Sequence, residues 1–431
     1  MKKINLLVLL FLVCRTTFAQ QYFPPIIGNN WDTISPQSLG WCVNRTDSLF
    51  NLLSQNKTKA FIILKDGKIV VEKYFGSFTA DSAWYWASAG KTITAALVGI
   101  AQQQGYLSIN DSSSKYLGKG FTSCTPQQEG LIKIKNQLTM TTGLDYLVPD
   151  WDCKDSACLK YKADAGTQWF YHNATYLLLQ NVIEAATGKT LQQYTNQQLS
   201  VKTGMSGLWY DGVFYSKPRA MARFGLMMLN AGIWNNDTII KDRNYYNEMI
   251  NTSQNLNQAY GYLWWLNGKS SFKLPGSVQT FNGSVCPQAP ADMFSALGKN
   301  DQKLYVVPSQ NLVVVRMGEA AVDESPVPVV FDTLLWNELN KFMCNNTGIT
   351  NLSLKHLNLT VFPNPAKGFI NISGLPNATT ELIIYNNIGE AVITEKCLLN
   401  NYSINVASLP NGVYYLQAKT NKGTQIVKFV K

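Results

Sequence analysis

Ser88 and Lys91, in the run Ser88-Ala89-Gly90-Lys91, are a pair that can do chemistry in a chain with only two histidines, His172 and His356. A serine hydroxyl is a weak nucleophile until a neighbouring base takes its proton, and where histidine is scarce a lysine can serve. On a helix, a spacing of three puts both side chains on one face. A lysine buried there loses some of its preference for the charged form, and its neutral amine can accept the serine proton. The free N–H groups at a helix start can also bind a developing oxyanion. The same spacing equally describes a serine capping a helix above a solvated lysine. It recurs at Ser54–Lys57, Ser112–Lys115 and Ser270–Lys273, so context has to discriminate.

The elements around each match supply that context. After Lys91, Ile93, Leu97, Ile100 and Ala101 form one helical stripe, with Gly105 placed to end it. The matches at Ser112 and Ser270 lie in turn-like stretches, and that at Ser54 sits among polar residues. Upstream, Ala60–Leu64 and Ile69–Tyr74 flank Asp66-Gly67 and predict a hairpin. Tyr176–Glu184 and Arg219–Asn230 predict helices ending near Gly188 and Gly232. Strands are predicted at Asp292–Leu297, Lys303–Val307 and Leu312–Arg316, then a helix at Phe331–Met343. Two early strands, a helical middle, and late strands before a helix predict an α+β fold with one antiparallel sheet flanked by helices.

A second motif, Ala165-Gly166-Thr167-Gln168-Trp169-Phe170-Tyr171-His172-Asn173, runs into the helix of Leu177–Ile183. Together with Ser88-x-x-Lys91 and Leu138-Thr139-Met140-Thr141-Thr142-Gly143-Leu144, it resembles the serine β-lactamase and penicillin-binding-protein superfamily. The likeness is nearest to the class C-like branch of esterases, D-aminopeptidases and 6-aminohexanoate-dimer hydrolases, and spans roughly Ala60 to Met343. It implies a β-lactamase/transpeptidase-like fold with a helical subdomain, and an acyl-enzyme mechanism. Ser88 would be the nucleophile, Lys91 its base and Tyr171 the partner acid/base. Asn173 would hydrogen-bond Lys91 or the substrate amide. The family's third element, a strand carrying Lys-Thr-Gly or His-x-Gly, matches Ala296-Leu297-Gly298. Ala296 thus stands where the family has a cation that helps hold a substrate carboxylate. Gly298 and the backbone N–H of Lys299 remain as substrate-binding and oxyanion positions. His172 reads as a packed neighbour. The tryptophans at 84, 86, 151, 169 and 209 fit a pocket lining or ordinary core.

Residues 359–431 alternate short β-type runs with Gly, Pro and Asn turns, as in a small β-sandwich. Val361-Phe362-Pro363-Asn364-Pro365, Leu409-Pro410-Asn411-Gly412-Val413-Tyr414 and the basic end Val427–Lys431 resemble the C-terminal sorting domain of the type IX secretion system of Bacteroidota-type bacteria. At the other end, Lys2 and Lys3, the apolar run Leu6–Val13 and Thr17-Phe18-Ala19 read as a signal peptide too short to span a bilayer. The expected organisation is a signal peptide at 1–19, a hydrolase domain at 20–344, a linker at 345–358 and a sorting domain at 359–431. The expected location is outside the cell or on the outer-membrane surface, with no transmembrane segment in the mature chain.

The formal net charge of +10 is scattered among interleaved acids, which does not support a nucleic-acid surface. Seven cysteines follow residue 19, and export favours pairing some of them. Cys153 and Cys158 are spaced for a local disulfide, and the spacings lack a zinc pattern. No metal or organic cofactor is called for. The expected function is hydrolysis of a small-molecule or peptide-like amide or ester through an acyl-serine. The alternatives are a β-lactamase or penicillin-binding D,D-peptidase, and a catalytically silent surface-binding protein of the same fold.

Overall fold

The structure, a computed structural model, describes residues 21–321, 329–344, 359–375, 380–387, 390–398, 401–420 and 423–431. The expected signal peptide, the linker and His356 lie outside them. The hairpin forms from β1 (Thr58–Lys65) and β2 (Lys68–Tyr74). Asp66 and Gly67 both have positive φ, 51° and 82°, the turn whose twist matches paired strands. Trp265–Leu266 (β3), Phe294–Gly298 (β4), Gln302–Val307 (β5) and Leu312–Gly318 (β6) complete an antiparallel sheet in the order β2-β1-β6-β5-β4-β3. The order places the first hairpin beside the last strand, so chain segments some 250 residues apart share a ladder: Phe61 pairs with Arg316.

Both faces of this sheet are covered, which is why β5 and β6 are buried at every position instead of alternating. On one face lies α4 (Pro218–Leu229), packed on β1, β5 and β6. On the other, α1 (Thr46–Gln55) packs against α5 (Val330–Phe342). The Cys42–Cys344 disulfide joins the segments entering α1 and leaving α5. A helical region between β2 and α4 holds α2 (Lys91–Gln103) against α3 (Asn173–Thr187). The stripe expected on α2 is in fact a whole cylinder, buried continuously from Lys91 to Ala101. Among the described residues no helix is long and apolar enough to cross a membrane.

The tail has its own core, built around Ile370, Leu382, Ile384, Leu416 and Phe429. One sheet pairs Thr360–Phe362, Phe369–Ser373 and Asn401–Asn405. The other orders Ala391–Cys397, Thr380–Tyr385, Val413–Thr420 and Gly423–Val430. The tail is thus a small two-sheet β unit.

Candidate active site

Ser88 lies in a 3-10 turn, Ala87–Gly90, that runs directly into α2, one turn earlier than a serine capping the α-helix itself. Ala87 before it has φ 48°, a left-handed conformation uncommon for a residue with a side chain. Trp86 anchors the turn from below: its N–H donates to Phe214 O and its indole Nε1 to Ser216 Oγ, on the strand Val213–Ser216. Gly298, closing β4, approaches from the side. A Cβ there would stand 2.3 Å from Trp86 O and 3.1 Å from Ala89 N, so only glycine lets the strand end meet the Ser88 turn.

Lys91 Nζ donates to Ser88 Oγ at 3.0 Å. The lysine is 4% exposed and its ammonium lies over two rings, 4.4 Å from the centroid of Tyr176 and 5.2 Å from that of Tyr171. Burial disfavours the charged amine and brings its pKa down to about 7, a fall that the carboxylate of Asp152 partly opposes. The same contact, with the amine neutral, lets the serine hydroxyl donate to Lys91.

Tyr171 reaches Ser88 from the other side. Its loop is pinned where Phe170 N donates to Met140 O (3.0 Å) and Gly166 N to Thr141 O (2.7 Å), so the Leu138–Leu144 phrase holds the Tyr171 loop. The Tyr171 ring stacks on Trp265 at 6.0 Å and meets Tyr260 edge-on at 6.2 Å. Burial pushes its phenol far above the usual value, and the interaction with Ser88 offsets this only in part. At neutral pH the Tyr171 phenol therefore keeps its proton.

Asn173 opens α3, but its Oδ1 has no hydrogen-bond partner, so it does not bond Lys91. The other expected acceptor role, toward a substrate amide N–H, stays open to it. His172 is 3% exposed and its pKa falls to about 4 through burial, the environment of a packed neutral imidazole. Trp86 and Trp169 are core residues, whereas Trp84, Trp151 and Trp209 are half-buried.

Sequence reasoning missed the groups that hold the loop after β4. Lys299–Asp301 carries two consecutive positive φ values, 60° at Asn300 and 59° at Asp301. Arg316, fully buried, donates to the carbonyls of Asn300 (2.9 Å), Asp301 (3.0 Å), Asn56 (2.6 Å) and Glu319 (2.8 Å), and to Thr58 Oγ1. Gln302 Nε2 adds bonds to the carbonyls of Lys299, Asn300 and Gly318. Asn300 Nδ2 ties the loop to Tyr85 at 2.7 Å, three residues before Ser88. The backbone of Lys299 is therefore fixed beside the serine, while its side chain is exposed.

Ala296 is buried and, two residues from Gly298, shares the strand face that meets the Ser88 turn. It offers no charge. Lys303 does not replace it, because its ammonium bonds Asp332 of α5 on the opposite face at 2.6 Å. The other three Ser-x-x-Lys matches take no part: Lys115 pairs with Asp111, Ser270 bonds Gln258, and Ser54 is exposed near the end of α1.

Comparison with known proteins identifies the family of each part of the chain. The model for the family described as Beta-lactamase matches residues 55–327, more than half the chain. The model described as Secretion system C-terminal sorting domain matches residues 360–431. An uncharacterised protein of Alkalihalophilus pseudofirmus is 25% identical over 59% of this chain and 81% of its own. The fold is shared with a provisionally named 6-aminohexanoate-dimer hydrolase from Bacillus anthracis (TM-score 0.56, 18% identity, 74% of this chain and 89% of that one). It is shared also with EstCE1, a hydrolase with promiscuous acyltransferase activity (TM-score 0.52, 13% identity, 71% and 99%).

Proposed function

The chain belongs to the β-lactamase family and carries a secretion sorting domain, and from that premise we propose that it is an exported serine hydrolase cleaving an amide or ester through an acyl-Ser88 intermediate. The observation that carries this reading is the buried Lys91 amine, 3.0 Å from Ser88 Oγ with a pKa near 7. Neutral Lys91 takes the serine proton as Oγ attacks the substrate carbonyl. The N–H groups of Ser88 and Lys299 receive the oxyanion, a role that needs no particular side chain. Tyr171 hands a proton to the leaving amine or alcohol as the carbonyl bond to it breaks. A water then attacks the acyl-serine, passing its proton to the Tyr171 phenolate while Lys91 returns its proton to Ser88 Oγ as the acyl–oxygen bond breaks, and the acid leaves. Asn173 Oδ1, unpartnered in the free protein, accepts from a substrate amide N–H.

In this reading residues 1–19 are a removable signal, 20–344 the hydrolase, 345–358 a linker and 359–431 the sorting tail that the type IX machinery engages. The base assignment has a direct test. Hydrolysis of a nitrophenyl ester should rise about tenfold per pH unit below about 7 and level off above it, as one amine loses its proton. A rate that is flat or falls across that range would remove Lys91 from the role.

The family's name favours a β-lactamase or penicillin-binding D,D-peptidase as the second reading. Ala296 weighs against it, since the side chain at that strand position carries no charge to pair with a β-lactam carboxylate. A fluorescent penicillin is accordingly expected to leave no adduct on protein that hydrolyses simple esters. A stable or rapidly turned-over penicillin adduct would instead establish the second reading.

A further inference from the structure

We propose that Tyr176 is a positioning residue for the base, its ring face holding the ammonium that Lys91 becomes when it takes the Ser88 proton. The inference rests on the acyl-serine reading and adds to it the group that sets the strength of the base.

An ammonium carries three N–H donors, and in a buried site unpaired donors are costly. Among the described residues Lys91 Nζ has one hydrogen-bond partner, Ser88 Oγ at 3.0 Å. Asn173, the expected second partner, leaves its Oδ1 unpaired. What stands over the amine instead is the face of Tyr176, with Nζ 4.4 Å from the ring centroid, and at 5.2 Å the ring of Tyr171. An aromatic face is electron-rich and attracts a cation, most strongly where water is excluded. Water is excluded here, since Lys91 is 4% exposed and Tyr176 3%.

Tyr176 is fixed from its hydroxyl end. It lies on α3, which packs along α2. Its hydroxyl accepts from Gln180 Nε2 at 2.7 Å and donates to Gly212 O at 3.2 Å, and Gln180 Nε2 reaches the same carbonyl at 3.1 Å. Gly212 has φ 72°, and a Cβ there would stand 2.4 Å from Leu177 Cδ2, so glycine lets that carbonyl close on α3. Burial pushes the Tyr176 phenol far above its usual value, so the ring is neutral and meets Lys91 as a face. The other titratable groups are otherwise placed. Tyr245, on the helix Arg243–Met249, donates to Ala95 O at 2.7 Å, and Asp152 acts on Lys91 through space without a hydrogen bond. As Ser88 Oγ bonds to the substrate carbonyl carbon, its proton passes to Nζ and the new charge forms against the Tyr176 face. Burial weakens the amine as a base, and the ring restores part of its strength.

The test replaces Tyr176 in the full chain by phenylalanine, and then by phenylalanines carrying one, two and three ring fluorines. Fluorine draws charge from the ring face while hardly changing its size. The readout is the pH midpoint of kcat/KM for a nitrophenyl ester, which reports the base of the free enzyme and does not depend on the fraction folded. Tyr176→Phe should keep the midpoint within about half a unit of the parent's, because the face remains. Successive fluorines should move it down, by about one unit in all, with a lower rate above it. A midpoint that stays put or rises along the fluorine series would overturn the proposal even if turnover falls, since a merely structural ring costs rate without moving the midpoint. Should that happen while Ser88→Ala still abolishes turnover, the acyl-serine reading stands and only the role of the ring fails. Turnover that survives Ser88→Ala would instead refute the acyl-serine reading itself.

Discussion

Ser88→Ala is expected to lower ester turnover by at least about 10⁴-fold and to leave the fold intact. The nucleophile, its base and its proton donor act as one unit, so losing the first removes nearly the whole chemical advantage. What survives is binding and any help from the oxyanion donors, which cannot form the acyl intermediate. The substitution removes one hydroxyl from a partly exposed turn residue, whose Oγ accepts from Lys91. The anchors of the turn are Trp86 and Gly298, and both are untouched. Thermal unfolding should therefore stay close to that of the parent. Turnover within tenfold of the parent would refute the nucleophile, and a collapsed unfolding temperature would void the comparison.

Lys91→Met should lose about 10³- to 10⁴-fold in turnover, the range that a positioned general base contributes, and yet gain stability. The sign follows from linkage. Folding lowers the lysine pKa from its ordinary 10.5 to about 7, so the folded state binds the proton less well than the unfolded chain. That penalty is full below pH 7, shrinks as pH rises, and vanishes above 10.5. At about 1.4 kcal/mol per pKa unit its ceiling is roughly 3–5 kcal/mol, before any loss from imperfect packing of methionine between Tyr171 and Tyr176. Calorimetry at pH 6 should show a higher Tm for the variant, with the gap closing toward pH 10. A lower Tm at pH 6 would mean that the amine is stabilising and charged in the folded protein. Lys91 would then be a poor base.

Much of the site was legible because its parts are local. Ser88-x-x-Lys91 and the helix pattern after it are neighbours in sequence, as are Tyr171, Asn173 and the start of α3. The hairpin was readable from Asp66-Gly67, and β5 and β6 from their runs of β-branched residues. What stayed hidden depends on pairings between distant segments. Arg316 reads as an ordinary strand residue, and only the register of β6 with β1 brings it to Asn56 and the Lys299 loop. Two-residue strands such as β3 and Trp84–Tyr85 carry no periodicity to detect. Trp265 and Tyr260 were two aromatics among many, with nothing local to mark them as the packing around Tyr171. Lys91 was expected on a helix face, but its burial on every side came from α3 and the helix Arg243–Met249 closing over α2.

The most direct test of the account is the mass of the acyl-enzyme. The full chain would be quenched in acid after brief mixing with an activated ester, digested, and the modified peptide sequenced. The expected result is one acyl group on Ser88, formed faster above pH 7 than below it and absent from Ser88→Ala. An acyl group carried by any other residue, with Ser88 unmodified while turnover proceeds, would contradict the account.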